Sequence, residues 1–193
     1  MLENKQIILN KAVVSDDWFL LRLSAEQDAA SFVVPAGKVI VPLALWQAQG
    51  EQLAARVEQA EIGIWLASDE RPESLRGQVG LFPVIAVDFP KFADGRGYST
   101  AYNLRARLGF TGQLRAIGDV LRDQMSYMQR VGFDAFEPRA DRNIHDALKG
   151  LFDFSEAYQT SIDQKQPLFK RVTRASTADS STPGKNFGDG AGI

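Results

Sequence analysis

Residues 84–99 read Val-Ile-Ala-Val-Asp-Phe-Pro-Lys-Phe-Ala-Asp-Gly-Arg-Gly-Tyr-Ser, and the fold class follows from this stretch. An apolar, β-branched run is followed by a charged connection with two glycines, after which Leu104 and Leu108 recur at helical spacing. A short apolar run predicts a buried strand, and a spacing of four residues predicts one buried helix face. We therefore interpret the stretch as a strand, a loop and a helix that begins at Tyr98 or Ser99.

The same alternation of apolar run and helical stretch recurs along the chain. Predicted strands begin at residues 39, 62, 84, 114 and 134, with room for one helix in each interval. A helix between two strands returns the chain parallel to the previous strand. We expect an α/β fold with a mostly parallel five-stranded sheet and flanking helices. An open, doubly wound sheet and a partial β/α barrel both satisfy this pattern, and we favour the open sheet.

The chain is expected to form a single α/β domain over residues 1–170. Within it, residues 1–34 carry short apolar runs separated by the turn at 15–17, which predicts an N-terminal β-hairpin segment at an edge of the sheet or as a small flap. Residues 174–193 are rich in serine, threonine, glycine and aspartate and have little to bury. We predict a disordered C-terminal tail there.

Composition excludes several classes of function. The 193 residues carry 22 basic and 24 acidic side chains, so the basic excess of a nucleic-acid-binding protein is missing. No apolar run approaches the roughly 20 residues that cross a membrane, and no signal-peptide pattern opens the sequence, so we expect a cytoplasmic protein. The absence of cysteine excludes disulfides, thiolate nucleophiles and cysteine-ligated metal clusters. His145 alone cannot form a two-histidine metal site, and we assign no metal.

The connection after the third predicted strand is the candidate anion site. Ligands of parallel sheets bind beyond the carboxyl ends of the strands, and a helix N-terminus favours anions. Arg96, Gly97, Tyr98 and Ser99 open the helix, and Lys91 adds a second cation. We expect the glycines to let the backbone approach a phosphate, sulfate or carboxylate. Neither a dinucleotide fingerprint nor a phosphate-binding loop occurs, so the cofactor is unknown.

Asp119 follows the next predicted strand and is the candidate acid/base, together with Lys91. Its position also suits a metal ligand or the N-cap of the helix that follows. Arg115 lies inside that strand and needs either an exposed face or a carboxylate such as Asp88, because an unpaired buried charge is costly.

Three motifs resemble a bacterial family of uncharacterised proteins, a domain of unknown function described as a probable oxidoreductase involved in sulfite reduction. They are FPKFADGRGYS at 89–99, LRAIGDVLRDQ at 114–124 and GFDAF at 132–136. The resemblance implies a place in assimilatory sulfite reduction, with the sulfite reductase complex as partner. Without cysteine, any redox chemistry would require a soluble cofactor.

Two functions follow as hypotheses. One is an enzyme or sensor that binds a small anion through the candidate site, as an oxidoreductase or accessory protein in sulfite reduction. The other is a non-catalytic binding or assembly partner of sulfite reductase. A scaffold without a small ligand is a third.

Overall fold

The computed structural model describes residues 5–171. Its strands are β1 (Gln6–Leu9), β2 (Ala12–Ser15), β3 (Phe19–Leu20), β4 (Val39–Pro42), β5 (Ile62–Leu66), β6 (Val84–Phe89), β7 (Gln113–Gly118) and β8 (Ala135–Phe136). Its helices are α1 (Leu43–Glu58), α2 (Arg96–Ala106), α3 (Arg122–Arg130), α4 (Ile144–Lys149) and α5 (Leu168–Arg171). The prediction for residues 174–193 falls outside the described residues. No helix within residues 5–171 has the length and apolar character needed to span a bilayer.

The five predicted strands are present as β4 to β8, each starting within one residue of the predicted position. They belong to a larger, mixed sheet of eight strands in the order β2-β1-β8-β7-β6-β5-β4-β3. Strands β3 to β8 pair in parallel, whereas β1 pairs antiparallel with both β8 and β2. The predicted α/β class is confirmed, but the sheet is larger than the predicted five strands and is mixed and not wholly parallel.

The strand order also corrects the doubly wound arrangement. From β3 to β8 each strand lies beside the one before it, and the direction never reverses. A doubly wound sheet needs such a reversal to place helices on both faces. Because parallel crossovers are right-handed, a steady progression places the helices on one face only and favours a curled sheet.

The N-terminal segment joins the two edges of this sheet. β2 and β3 lie at opposite edges, yet only residues 16–18 separate them. At one end of this connection, Asp16 N donates to Lys5 O (2.7 Å), next to β1. At the other end, Phe19 N donates to Lys38 O (2.9 Å), next to β4. Since an extended chain spans at most about 3.6 Å per residue, the two edges must lie close together. The sheet is therefore curled, as in the predicted alternative of a partial barrel.

One predicted helix is absent. Between β5 and β6 the chain forms two short 3-10 turns, Pro72–Leu75 and Val79–Leu81. Pro72 and Gly77, the latter at φ +82°, interrupt any longer helix in this interval.

The two faces of the curled sheet bury different side chains. The outer face packs against the helices and forms the main core, to which β6 contributes Ile85, Val87 and Phe89. The inner face holds a smaller apolar cluster of Trp18, Ile40, Val84, Ala86 and Ile117. Successive side chains along each strand therefore point to the outer and the inner face in turn, and those on the inner face form one apolar layer inside the curl.

Candidate functional site

The predicted site residues lie beyond the carboxyl ends of β6 and β7. We call this end of the strands the rim. Phe92 N, in the connection after β6, donates to Asp119 Oδ2 (2.9 Å). Asp119 N in turn donates to Phe89 O at the end of β6 (2.7 Å). The structure therefore brings the 90–95 connection and Asp119 together at one edge, as expected for consecutive parallel strands.

Asp119 is held from both sides. Its second oxygen, Oδ1, accepts from Arg139 Nη1 (2.9 Å). Arg139 also binds both oxygens of Asp141 (2.6 and 3.0 Å). The hydrogen bonds to Asp141 have the largest effect and those to Asp119 the next, and together they raise the pKa of the Arg139 guanidinium above its usual range. Each oxygen of Asp119 thus accepts one hydrogen bond, and the side chain is 23% exposed.

Asp119 is not the N-cap of α3, so that expectation was wrong. The helix begins at Arg122 with Leu121 in the cap position, two residues after Asp119. Gln124 instead serves this helix start: its Oε1 accepts from Leu121 N (3.1 Å), and its Nε2 donates to Phe92 O (3.1 Å). The carboxylate of Asp119 faces the connection after β6 and not the helix.

Arg96 opens α2, two residues earlier than predicted, and already holds an anion of the protein itself. Its Nε and Nη2 donate to the two oxygens of Asp94 (3.0 and 2.7 Å), and Nη2 also lies 2.8 Å from Ser68 Oγ. The backbone N–H of Arg96 donates to Asp94 Oδ1 (3.1 Å). Hydrogen bonds from Arg96 hold the pKa of the Asp94 carboxyl far below its usual range. Asp94 thus occupies the donors of Arg96, which were among those predicted to receive a ligand.

Gly97 serves packing rather than ligand approach, which corrects the expected role of this glycine. A Cβ at this position would lie 2.6 Å from Cζ of the Phe89 ring. The missing side chain lets the first turn of α2 rest directly on β6. Tyr98 continues this contact, with its ring 5.3 Å from Phe89 and 5.1 Å from Tyr127. Burial, and then the charge of Asp123, raise the pKa of the Tyr98 hydroxyl.

Arg96 and Ser99 line a common pocket of about 460 Å³ beside the first turns of α2. The opposite wall is the stretch after β5, which includes Ser68, Glu70 and Arg71. Glu70 Oε2 accepts from Ala67 N (2.7 Å), while burial raises the pKa of its carboxyl. The lining of the pocket therefore includes two guanidinium groups and three hydroxyls, together with three carboxylates that compete for them.

Lys91 lies outside this pocket, on the same connection as Phe92. It is exposed, and its side chain has no hydrogen bond or ion pair within residues 5–171. Its neighbour Phe92 has 49% of its surface exposed. The predicted residues thus separate into three groups: Arg96 and Ser99 at the pocket, Lys91 and Asp119 along the rim, and Gly97 and Tyr98 against the sheet.

The inner face of the sheet carries a second set of charges, whose pairing the sequence analysis did not predict. Arg22 binds Asp88 (2.6 Å) and lies 5.0 Å from the centre of the Trp65 ring. Arg115 binds Asp16 through two hydrogen bonds of 2.9 Å each. The need for a carboxylate beside Arg115 was recognised, but the partner is Asp16 and not Asp88. Strand alternation places Asp88 and Arg115 on the inner face, and only the pairing of distant strands reveals their partners.

Among residues 5–171, no group of three or more histidine, aspartate or glutamate side chains is placed to hold a metal ion.

Comparison with known proteins yields one match. A family model with the description "Bacterial protein of unknown function (DUF934)" matches residues 63–169. The matched part takes in nearly all of β5, the strands β6 to β8, the whole rim and the helices α2 to α4. No curated protein and no solved structure matches the chain.

Proposed function

This chain belongs to the bacterial protein family DUF934, and we propose that it binds a small oxyanion in the pocket beside the first turns of α2, as a component of assimilatory sulfite reduction. The link to sulfite is what the family resemblance of the motifs at 89–99, 114–124 and 132–136 implies. The oxyanion rests on the geometry of the pocket. Binding is favoured over catalysis, because the carboxylates of Asp94 and Asp119 are already held by arginines.

The observation that carries the proposal is the contact between Arg96 and Asp94. A planar guanidinium binds carboxylates and other oxyanions through paired hydrogen bonds. Here two guanidinium nitrogens, one backbone N–H and the nearby Ser68 hydroxyl surround the carboxylate of Asp94, next to the pocket that Arg96 and Ser68 line. Asp94 stands in for the anion, and a sulfite or sulfate ion would exchange with it.

Exchange would take place at the guanidinium of Arg96, since the side chain of Asp94 is only 13% exposed. The side chain of Arg96 is 58% exposed, and the pocket is open beside it. Ser99 and Arg71 line the same pocket and can donate to oxygens that the guanidinium of Arg96 does not reach. An oxidoreductase role would add a soluble cofactor to this site, with Lys91 and Asp119 as its catalytic residues.

Isothermal titration of the full chain with sulfite, sulfate and phosphate tests the binding step. We expect at least one of these ions to bind, with the affinity lost in Arg96→Ala. Arg107→Ala, an exposed arginine just beyond the end of α2, is the matched control and should bind as the natural protein does. No binding of any ion, or equal binding by Arg96→Ala, would overturn the proposal.

Growth of a deletion strain tests the pathway. We expect normal growth with sulfide as the sulfur source and poor growth with either sulfate or sulfite. Complementation with the natural chain should restore growth, and complementation with Arg96→Ala should not. Normal growth of the deletion strain on sulfite would remove the assignment to sulfite reduction.

A second candidate, a non-catalytic assembly partner of sulfite reductase, is favoured by the exposed pair Lys91 and Phe92. Aromatic residues are enriched at protein interfaces, and the ring of Phe92 is one that the chain leaves exposed. If this candidate is right, sulfite reductase will copurify with the natural chain and with a Tyr102→Ala control but not with Phe92→Ala. Tyr102 is an exposed aromatic residue of α2. Failure to recover sulfite reductase with the natural chain would exclude it.

A further inference from the structure

A second cleft lies at the opposite end of the parallel strands from the rim. It is formed by the turn between β1 and β2, the end of α3 and the segment 154–163. Two cavities of about 610 and 350 Å³ adjoin here and share Lys11, Gln129, Leu151 and Asp163. Each lies in the range of about 300–1,000 Å³ that small-molecule sites occupy.

Aromatic side chains form much of the wall of this cleft. Phe133 and Phe136 are buried at its floor. Tyr127, Phe154 and Tyr158 surround the larger cavity and are 55%, 73% and 71% exposed. A group of exposed apolar rings around a concave surface is typical of a ligand-binding site. The cleft is therefore suited to a flat, aromatic ligand.

Arg130, at the end of α3, lines the larger cavity and carries an unsatisfied donor. Its Nη2 donates to Gln159 O (2.6 Å), which fixes the guanidinium against the 154–163 segment. Its Nη1 is buried and has no hydrogen-bond partner within the described residues. A buried donor without an acceptor is costly, and an anionic oxygen is the acceptor that a guanidinium binds best.

Lys11 adds a second cation, positioned by the backbone of the β1–β2 turn. Asn10 and Lys11 have φ values of +49° and +65°, as a two-residue hairpin turn of this hand requires. The Lys11 ammonium group lies 5.4 Å from the centre of the Phe152 ring. The turn thus holds a positive charge over an aromatic ring at the junction of the two cavities.

The charge balance of the cleft favours an anion. Of its carboxylates, Asp134 and Glu156 are already paired with arginines of the protein. Asp163, which is exposed, is then the remaining carboxylate against the two cations Lys11 and Arg130.

From these observations we propose that the cleft binds a small molecule that combines a planar aromatic ring system with one anionic group. The ring packs between Tyr127, Phe154 and Tyr158, and the anionic group accepts from Arg130 Nη1, with Lys11 beside it. This site shares no residue with the rim, so it stands or falls independently of the oxyanion proposal.

Two fluorescent probes test this inference on the full chain. One is 1-anilinonaphthalene-8-sulfonate, which has a fused ring and a sulfonate. The other is N-phenyl-1-naphthylamine, its counterpart without the sulfonate. We expect the sulfonate to bind with a stoichiometry of one and about tenfold more tightly than the neutral probe, the difference that one charge-assisted hydrogen bond supplies. Equal affinities, or a stoichiometry well above one, would overturn the proposal.

Variants locate the probe. Arg130→Gln should bring the affinity for the sulfonate down to that for the neutral probe, and Tyr158→Ala should weaken both. Lys11→Gly removes the ammonium group but tolerates the positive φ of the turn, so it decides the question if Arg130→Gln fails to fold. Arg76→Gln and Tyr102→Ala, exposed residues outside the cleft, should bind both probes as the natural chain does. Undiminished sulfonate binding by folded Arg130→Gln, or by Lys11→Gly in its place, would refute the site.

Discussion

Arg115 and Asp16 form a two-bond ion pair on the inner face of the sheet, although 99 residues separate them in the chain. Both side chains are 1% exposed. Asp16 follows β2 at the point where the chain leaves one edge of the sheet for the other, and Arg115 lies in the middle of β7. The pair therefore links the region where the two edges meet to the opposite wall of the curl.

The first prediction concerns this pair. Arg115→Met leaves Asp16 as a buried charge that has lost its main partner, and we expect the free energy of unfolding to fall by about 3–5 kcal/mol. The double variant Asp16→Asn with Arg115→Met removes both charges and should be more stable than Arg115→Met alone. Urea unfolding followed by circular dichroism measures both differences. A single variant as stable as the natural chain would show that the pair does not stabilise the closure.

The second prediction concerns the contact between α2 and β6. Alanine normally stabilises a helix relative to glycine, but a Cβ at Gly97 would lie 2.6 Å from the Phe89 ring. We expect Gly97→Ala to lower the free energy of unfolding by about 1–3 kcal/mol because the ring or the helix must move. Gly95→Ala is the matched control, since the nearest atom to its Cβ is 3.9 Å away. Thermal unfolding of the two variants should separate them, and equal stability would contradict the packing role of Gly97.

Local patterns predicted much of the fold. The starts of β4 to β8 follow from apolar runs of two to seven residues, and crossover geometry placed Asp119 beside the connection after β6. The pairing of β1 with β8 could not be predicted, because it depends on contacts between residues more than a hundred positions apart. The curl of the sheet could not be predicted for the same reason, because it follows only from the positions of β2 and β3 at the two edges.

The candidate site was predictable in position but not in detail. The residue types near the start of α2 predict a ligand anion, whereas the anion that Arg96 contacts in the structure is a carboxylate of the chain itself. That this carboxylate belongs to Asp94 depends on the conformation of two side chains in one loop, which residue spacing does not specify. Gly97 was misread for a related reason: its neighbour Phe89 approaches through tertiary packing, which no local signal encodes.

The third prediction concerns pH and Glu70, at the wall of the rim pocket. Burial raises the pKa of its carboxyl, so the folded state holds this proton more tightly than the unfolded state does. Ionisation of Glu70 therefore costs stability, and the cost appears as the pH rises through its titration. Glu70→Gln should gain stability relative to the natural chain between pH 4 and pH 7, measured by urea unfolding at both values. Glu73→Gln, an exposed glutamate nearby, controls for the change in net charge. A difference that is the same at both pH values would refute the assignment.

The last prediction tests whether Asp94 competes with the proposed oxyanion. Asp94→Asn removes the anionic charge from Arg96 but retains a side chain of the same shape, so the guanidinium becomes available to a ligand. We expect sulfite or sulfate to bind several-fold more tightly to this variant by isothermal titration. Asp141→Asn removes a carboxylate from Arg139 elsewhere on the rim, with the same change in net charge, and should leave the affinity nearly unchanged. Equal gains in both variants would attribute the effect to net charge, and weaker binding by Asp94→Asn would mean that Asp94 helps to build the site and does not occupy it.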